Sequence, residues 1–184
     1  MRVIEAARAA QVPVLVNLGG SPLSDGLRSA AAGYEKLLVQ TNVDDSAHAE
    51  AFTVARSLLE ETAAVWVVVT AGAYGAVAVN PTDTVAAPAF PVTVRHTHCA
   101  GAAFSGGLLY GLREGWSMDR SMVLGSARGH CGAHDTTVSH CRRWRSWRPS
   151  SLAVASNFGS HATLANPMHI VTALASKARR VTAV

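Results

Sequence analysis

Charged residues are scarce in this sequence, at 15%, while apolar residues make up 49%. That balance excludes an intrinsically disordered chain, and 184 residues are enough for one domain with a substantial core. Long apolar runs are missing as well. None approaches the ~20 residues that a membrane helix requires, so no membrane partner is expected. Cysteine is sparse and odd in number, three in all, which argues against a secreted disulfide framework. The opening stretch, MRVIEAARAAQ, lacks the apolar segment of a signal peptide, so a cytoplasmic location is expected. There is no internal repeat and no low-complexity tract. The net charge of +4 suits an anionic ligand such as a nucleotide without demanding nucleic acid. Much of it is local, at Arg142, Arg143, Arg145 and Arg148.

Taken in order, the apolar pattern alternates between helices and short strands. Residues 2–10 read as an amphipathic helix, Val12–Val16 as a buried strand, and Gly19-Gly20-Ser21-Pro22 as a loop. Asp25 is placed to cap a short helix running to Gly33. Leu37–Gln40 is a second buried strand. Asp44 or Asp45 is placed to cap a long helix through Glu61, with Ala51, Val54, Ala55, Leu58 and Leu59 on its apolar face. Val65–Val69 is the strongest strand, and Ala76–Val79 follows it as a hairpin partner. Thr84–Phe90 and Val92–Thr97 are strand-like, and helices follow from about Ala100 and Met118. This order predicts an α/β fold with a mostly parallel sheet over residues 1–133. Residues 134–184 read as an atypical basic tail, with a terminal helix over Asn166–Arg180 that Asn166 and Pro167 would open.

Two turns carry chemistry. His96-Thr97-His98-Cys99-Ala100-Gly101-Ala102 leads from a strand-like run straight into a helix. The free N–H groups of such a helix start, with the positive end of its dipole, suit a phosphate or an oxyanion. Thr70-Ala71-Gly72-Ala73-Tyr74-Gly75 follows the strongest strand; it is either a plain hairpin turn or a glycine loop that lets backbone N–H groups approach an anion. Asn42-Val43-Asp44-Asp45, read from its residues, is a helix N-cap. The clusters His96, His98, Cys99 and His130, Cys131, His134, with His140 and Cys141 beyond, offer zinc-type ligands at spacings that match no finger or ribbon. Arginine interleaved with tryptophan over residues 142–148 reads as an exposed irregular tail rather than a nucleic-acid or membrane contact.

The residues from His96 to Gly107 resemble the second signature of the ribokinase-like (PfkB-type) carbohydrate kinases, Asp-Thr-x-Gly-Ala-Gly-Asp-Ala-Phe followed by small residues. Thr97, Ala100, Gly101, Ala103, Phe104, Gly106 and Gly107 agree with it, whereas His96, Cys99 and Ala102 depart from its Asp, Gly and catalytic Asp. Thr70, Gly72 and Gly75 resemble the family's Thr-x-Gly-x-x-Gly nucleotide loop. Asn42 and Asp45 resemble its Asn-x-x-Glu, with a carboxylate arm one methylene shorter. The region after Val12–Val16, Asn17-Leu18-Gly19-Gly20, lacks the Asp-x-Asn-x-Arg of many relatives.

The resemblance implies a ribokinase-like three-layer sandwich whose N-terminal part and lid are missing. It implies ATP-dependent phosphorylation of a sugar hydroxyl with Mg2+, truncated and impaired. Nucleotide would lie at Thr70, Gly72, Gly75 and Cys99, an anion hole at Ala100 and Gly101, indirect magnesium contacts at Asn42 and Asp45, and a lost base at Ala102. A non-catalytic nucleotide-binding or interaction module, or a decayed gene product with a frameshifted tail, is the alternative. If the strands before Val12 are absent, the Val12–Val16 edge is left open and a homodimer through it is expected.

Overall fold

The computed structural model describes residues 2–91, 93–94, 99–134 and 171–174, with backbone alone for 131–134 and 171–174. The chain divides into two compact units, Met1–Pro88 with Met168–Val184, and Ala89–Pro167.

The first unit is built on a sheet in the order β5-β4-β3-β2-β1-β6. Its strands are β1 (Val14–Asn17), β2 (Leu37–Asn42), β3 (Trp66–Thr70), β4 (Ala76–Val79), β5 (Thr84–Ala87) and β6 (Val171–Leu174). β6, β1, β2 and β3 run parallel, and β4 and β5 are antiparallel additions at one side. The expected hairpin between the strongest strand and Ala76–Val79 is therefore present. Alternate residues Val14, Val16, Leu37, Val39, Val67, Val69 and Val79 form one apolar face, and Ile4, Ala7, Ala51, Ala55 and Leu58 pack on it. These come from α1 (Arg2–Ala10) and α3 (Ala51–Glu61), whose buried residues recur at helical spacing. The opposite face is also buried at Leu15, Leu38, Val68 and Ala78, as a largely parallel sheet requires. α1 closes with Gln11 at φ +57° and a bond from the Val12 N–H to the Ala7 carbonyl, a Schellman ending without glycine.

Local capping departs from expectation at two places. α2 (Asp25–Ala31) is capped by Ser24, whose Oγ accepts from the Leu27 N–H, so Asp25 is the first helical residue and not the cap. The Arg28 guanidinium of α2 and the Ser57 hydroxyl of α3 both bond Glu61 and hold its carboxyl below the usual range. The long helix expected from Asp44 or Asp45 is broken. Asp45–Glu50 is a 3-10 segment with non-helical backbone at Ala47, Asp44 precedes it without a side-chain cap bond, and α3 starts only at Ala51. A side-chain contact of His48 accompanies the break. Its Nδ1 lies 2.9 Å from the Asp45 carbonyl oxygen.

The stretch expected as a terminal helix contributes a strand instead. Val171–Leu174 pairs in parallel with β1, Val14 opposite Val171 and Asn17 opposite Leu174. Val171 and Thr172 are β-branched, and the edge of β1 offers a row of backbone groups that a helix would leave unpaired. That edge, expected to be open, is covered by β6, which removes the premise for a homodimer formed through it.

The second unit contains α4 (Ala100–Arg113) and α5 (Met118–His134), at the two starting points expected. They pack closely enough that a β-carbon at Gly107 would lie 2.7 Å from the Leu124 carbonyl oxygen, and one at Gly111 2.6 Å from Ser121 Oγ. Thr93 and Val94, from the expected strand before α4, have no regular structure; the rest of that strand, apart from these two, lies outside the described residues. Among the described residues, no helix is long and apolar enough to cross a membrane.

Candidate functional site

In the first unit the candidate residues gather at the C-terminal ends of β1, β2 and β3, the end of a parallel sheet where ligands bind in open α/β folds. Asn42 and Thr70 are paired in register as the last residues of β2 and β3. The Val43 N–H bonds the Thr70 carbonyl at 2.9 Å, and Thr70 Oγ1 reaches the Thr41 carbonyl at 3.4 Å. The chain beyond Thr70 turns through a single 3-10 turn, Gly72–Tyr74. Gly72 (φ +50°) and Gly75 (φ +96°) adopt backbone that side chains with a β-carbon avoid. The loop is closed by the Ala71 N–H donating to the Gly75 carbonyl at 2.8 Å and the Tyr74 N–H donating to the Ala71 carbonyl at 2.9 Å.

Asp45 meets this loop. A β-carbon at Gly72 would stand 1.9 Å from Asp45 Oδ1, so the carboxylate occupies the space that only glycine leaves. Asn42 is flanked likewise, its Nδ2 3.1 Å from where a β-carbon of Gly20 would be. Asn42, Asp45, Gly72 and Gly20 are all exposed. The structure thus brings Asn42, Asp45, Thr70, Gly72 and Gly75 together. It adds Gly20, which the sequence marked only as part of a loop, and His48, which no sequence signal marked. The Asp45 carboxylate, the Asn42 amide and a glycine-lined approach fit a magnesium ion that keeps most of its waters and takes few protein ligands.

The second candidate group lies in the other unit, at the start of α4. Cys99 is exposed and occupies the N-cap with φ +68°, without a side-chain cap bond. The first helical bond runs from the Ala103 N–H to the Cys99 carbonyl at 2.8 Å. The N–H groups of Ala100, Gly101 and Ala102 therefore precede the helical ladder and point out of its end. Gly101 and Ala102 are exposed, and nothing lies within 4 Å of a β-carbon built at Gly101. No acidic residue stands in the first turn, and position 102 is an alanine. His96, Thr97, His98, His140 and Cys141 and the 142–148 stretch lie outside the described residues, as do the side chains of Cys131 and His134. Among the described residues no three His, Cys, Asp or Glu side chains cluster as a metal site.

In the first unit, a mixed, mainly parallel sheet with a glycine loop at the C-terminal ends of its strands is the arrangement of an open α/β fold. The family model for pfkB family carbohydrate kinases matches residues 3–144, and the chain belongs to that family. A search of the curated proteins found no match. Among solved structures the chain is similar to ribokinase from Thermotoga maritima, with 19% identity, 75% of this chain and 48% of that one covered, and a TM-score of 0.59. It is similar to Arabidopsis thaliana ribokinase complexed with ribose and ATP, at 17% identity, with 74% and 46% covered and a TM-score of 0.60. A Burkholderia thailandensis nucleoside kinase in complex with inosine matches at 27% identity, with 73% and 45% covered and a TM-score of 0.58. The fold is ribokinase-like α/β, and the chain spans about half the length of the structures it matches.

Proposed function

We propose that this chain carries the nucleotide-handling part of an ATP-dependent sugar or nucleoside kinase, with phosphoryl transfer slowed by the alanine at position 102. The observation that carries this reading is the contact of Asp45 with Gly72. It joins the two motifs that the resemblance assigns to magnesium and to the nucleotide, at the ligand-binding end of the sheet. The Arabidopsis relative with ribose and ATP, and the nucleoside kinase with inosine, support ATP as donor and a sugar or nucleoside as acceptor. A cytoplasmic setting, where ATP is abundant, accords with this role.

The residue roles follow from chemistry. Thr70, Gly72 and Gly75 let the loop backbone lie along the nucleotide phosphates, because no β-carbon intervenes at the two glycines. Asp45 and Asn42 would hold a magnesium ion through its waters. The ion, when bound, neutralises charge on the phosphate oxygens. At the start of α4, Cys99, Ala100 and Gly101 present backbone N–H groups that stabilise negative charge without a side chain. Ala102 takes no proton, and loss of a positioned base slows transfer by about 100- to 10,000-fold.

Titration calorimetry of the folded protein with ATP is expected to show binding that tightens when magnesium is added. No heat with ATP and magnesium would overturn the reading. In Ala102→Asp, phosphoryl transfer to a panel of sugars and nucleosides should rise. A variant that binds ATP yet gains no transfer would show that the missing base is not what limits the reaction.

A further inference from the structure

His48 and Tyr74 stack face to face, ring centroids 3.6 Å apart and planes within 5°. Both lie on the surface, and Tyr74, 59% exposed, is the most exposed of the large hydrophobic side chains described. Core packing therefore does not account for the pair. Its place in the chain does: His48 belongs to the 3-10 segment after β2, and Tyr74 is the last residue of the turn that carries the glycine loop.

We propose that this ring pair is a clasp that holds the Thr70–Gly75 loop in the conformation that receives nucleotide, with His48 and Tyr74 as positioning residues. The use to which the loop is put rests on the nucleotide reading; the clasp itself rests on geometry. The His48 ring is oriented from behind, because its Nδ1 is 2.9 Å from the Asp45 carbonyl oxygen. A carbonyl only accepts, so Nδ1 carries the proton in that contact. The side chain of the same residue, Asp45, lies against Gly72. The loop is thus fastened to the 3-10 segment at two points, Asp45 on Gly72 and His48 on Tyr74. The loop has two closing backbone bonds of its own, but it is bounded by two glycines, the residue that surrenders the most backbone freedom on ordering. An aromatic contact at its far end removes that freedom before a ligand arrives, and preorganisation of this kind appears as affinity.

The test uses the full chain with His48→Ala, Tyr74→Ala, the double variant and Tyr74→Phe, which keeps the ring. Amide hydrogen exchange is followed over the loop in the nucleotide-free protein, together with melting temperature and the ATP–magnesium dissociation constant. Both alanine variants should exchange faster in the loop with little change in melting temperature, and should bind ATP with magnesium more weakly by up to about tenfold. Tyr74→Phe should match the parent, and the double variant should be no worse than either single. Unchanged loop exchange in the alanine variants, or fully additive effects, would overturn the clasp. Faster exchange with unchanged affinity in a protein that binds ATP would overturn its positioning role. If the parent binds no ATP, the nucleotide reading fails, and with it the positioning role, while loop exchange still decides whether the clasp exists.

Discussion

At position 72 the backbone sits at φ +50°, and a β-carbon built there would lie 1.9 Å from Asp45 Oδ1. Two separate costs meet in Gly72→Ala. The left-handed backbone disfavours any L side chain, which lowers stability by about 1 kcal/mol. The methyl group also drives the Asp45 carboxylate, a mobile side-chain end, away from the loop. Urea unfolding should show the loss of stability, and calorimetry a fall of about tenfold in affinity for ATP with magnesium, near 1.4 kcal/mol. An affinity equal to the parent's would mean that the carboxylate has no part in binding. The glycine was legible in the sequence as a loop residue, but its neighbour was not, because Asp45 is 27 residues away and only strand pairing brings it near. Cys99 shows the same limit in reverse. Nothing in its residue type announces φ +68°, which its place before α4 imposes.

The packing of α4 on α5 turns on which glycines face the partner helix. Gly106 and Gly107 are adjacent and equal in helix propensity, where replacement by alanine gains up to about 1 kcal/mol. Gly106 has nothing within 4 Å of a built β-carbon, so Gly106→Ala should gain most of that. At Gly107 the β-carbon would meet the Leu124 carbonyl oxygen at 2.7 Å and the Gly125 Cα at 2.8 Å. Those are backbone atoms that cannot rotate aside, and overpacking of this kind costs about 1–3 kcal/mol, more than the propensity gain. Gly107→Ala should therefore lower stability where its neighbour raises it, as urea midpoints would show. Equal signs at the two positions would contradict the close approach of the helices. The 3-10 segment before α3 is a second lesson at this scale. One long helix was expected from Asp44 or Asp45, yet its apolar face begins only at Ala51, where α3 starts, and a bond between His48 and the Asp45 carbonyl accompanies the break.

For the whole molecule, the edge of β1 would invite misassociation if β6 did not cover it. VPVLV carries only Pro13 as a guard, and β6 is what pairs with the strand. Removing residues 168–184 would restore an open row of N–H and C=O groups, which invites pairing with another chain. Light scattering after gel filtration should then find the shortened chain associated at micromolar concentration, with the full chain less so. A shortened chain that stays monomeric would show that β6 does not guard the edge.

The sequence by itself determined the alternation of helices and strands, the parallel core, the glycine turns and the membership in a kinase family. Each of those is written in local periodicity or in a contiguous motif. Tertiary structure decided the rest. Asp45 lies on Gly72, His48 on Tyr74 and Asn42 beside Gly20 because β1, β2 and β3 end side by side, and no local pattern encodes that meeting. Residues 171–174 carry a helix-like apolar spacing yet form a strand, since the backbone groups of an unpaired β1 edge outweigh the weak preference of four residues.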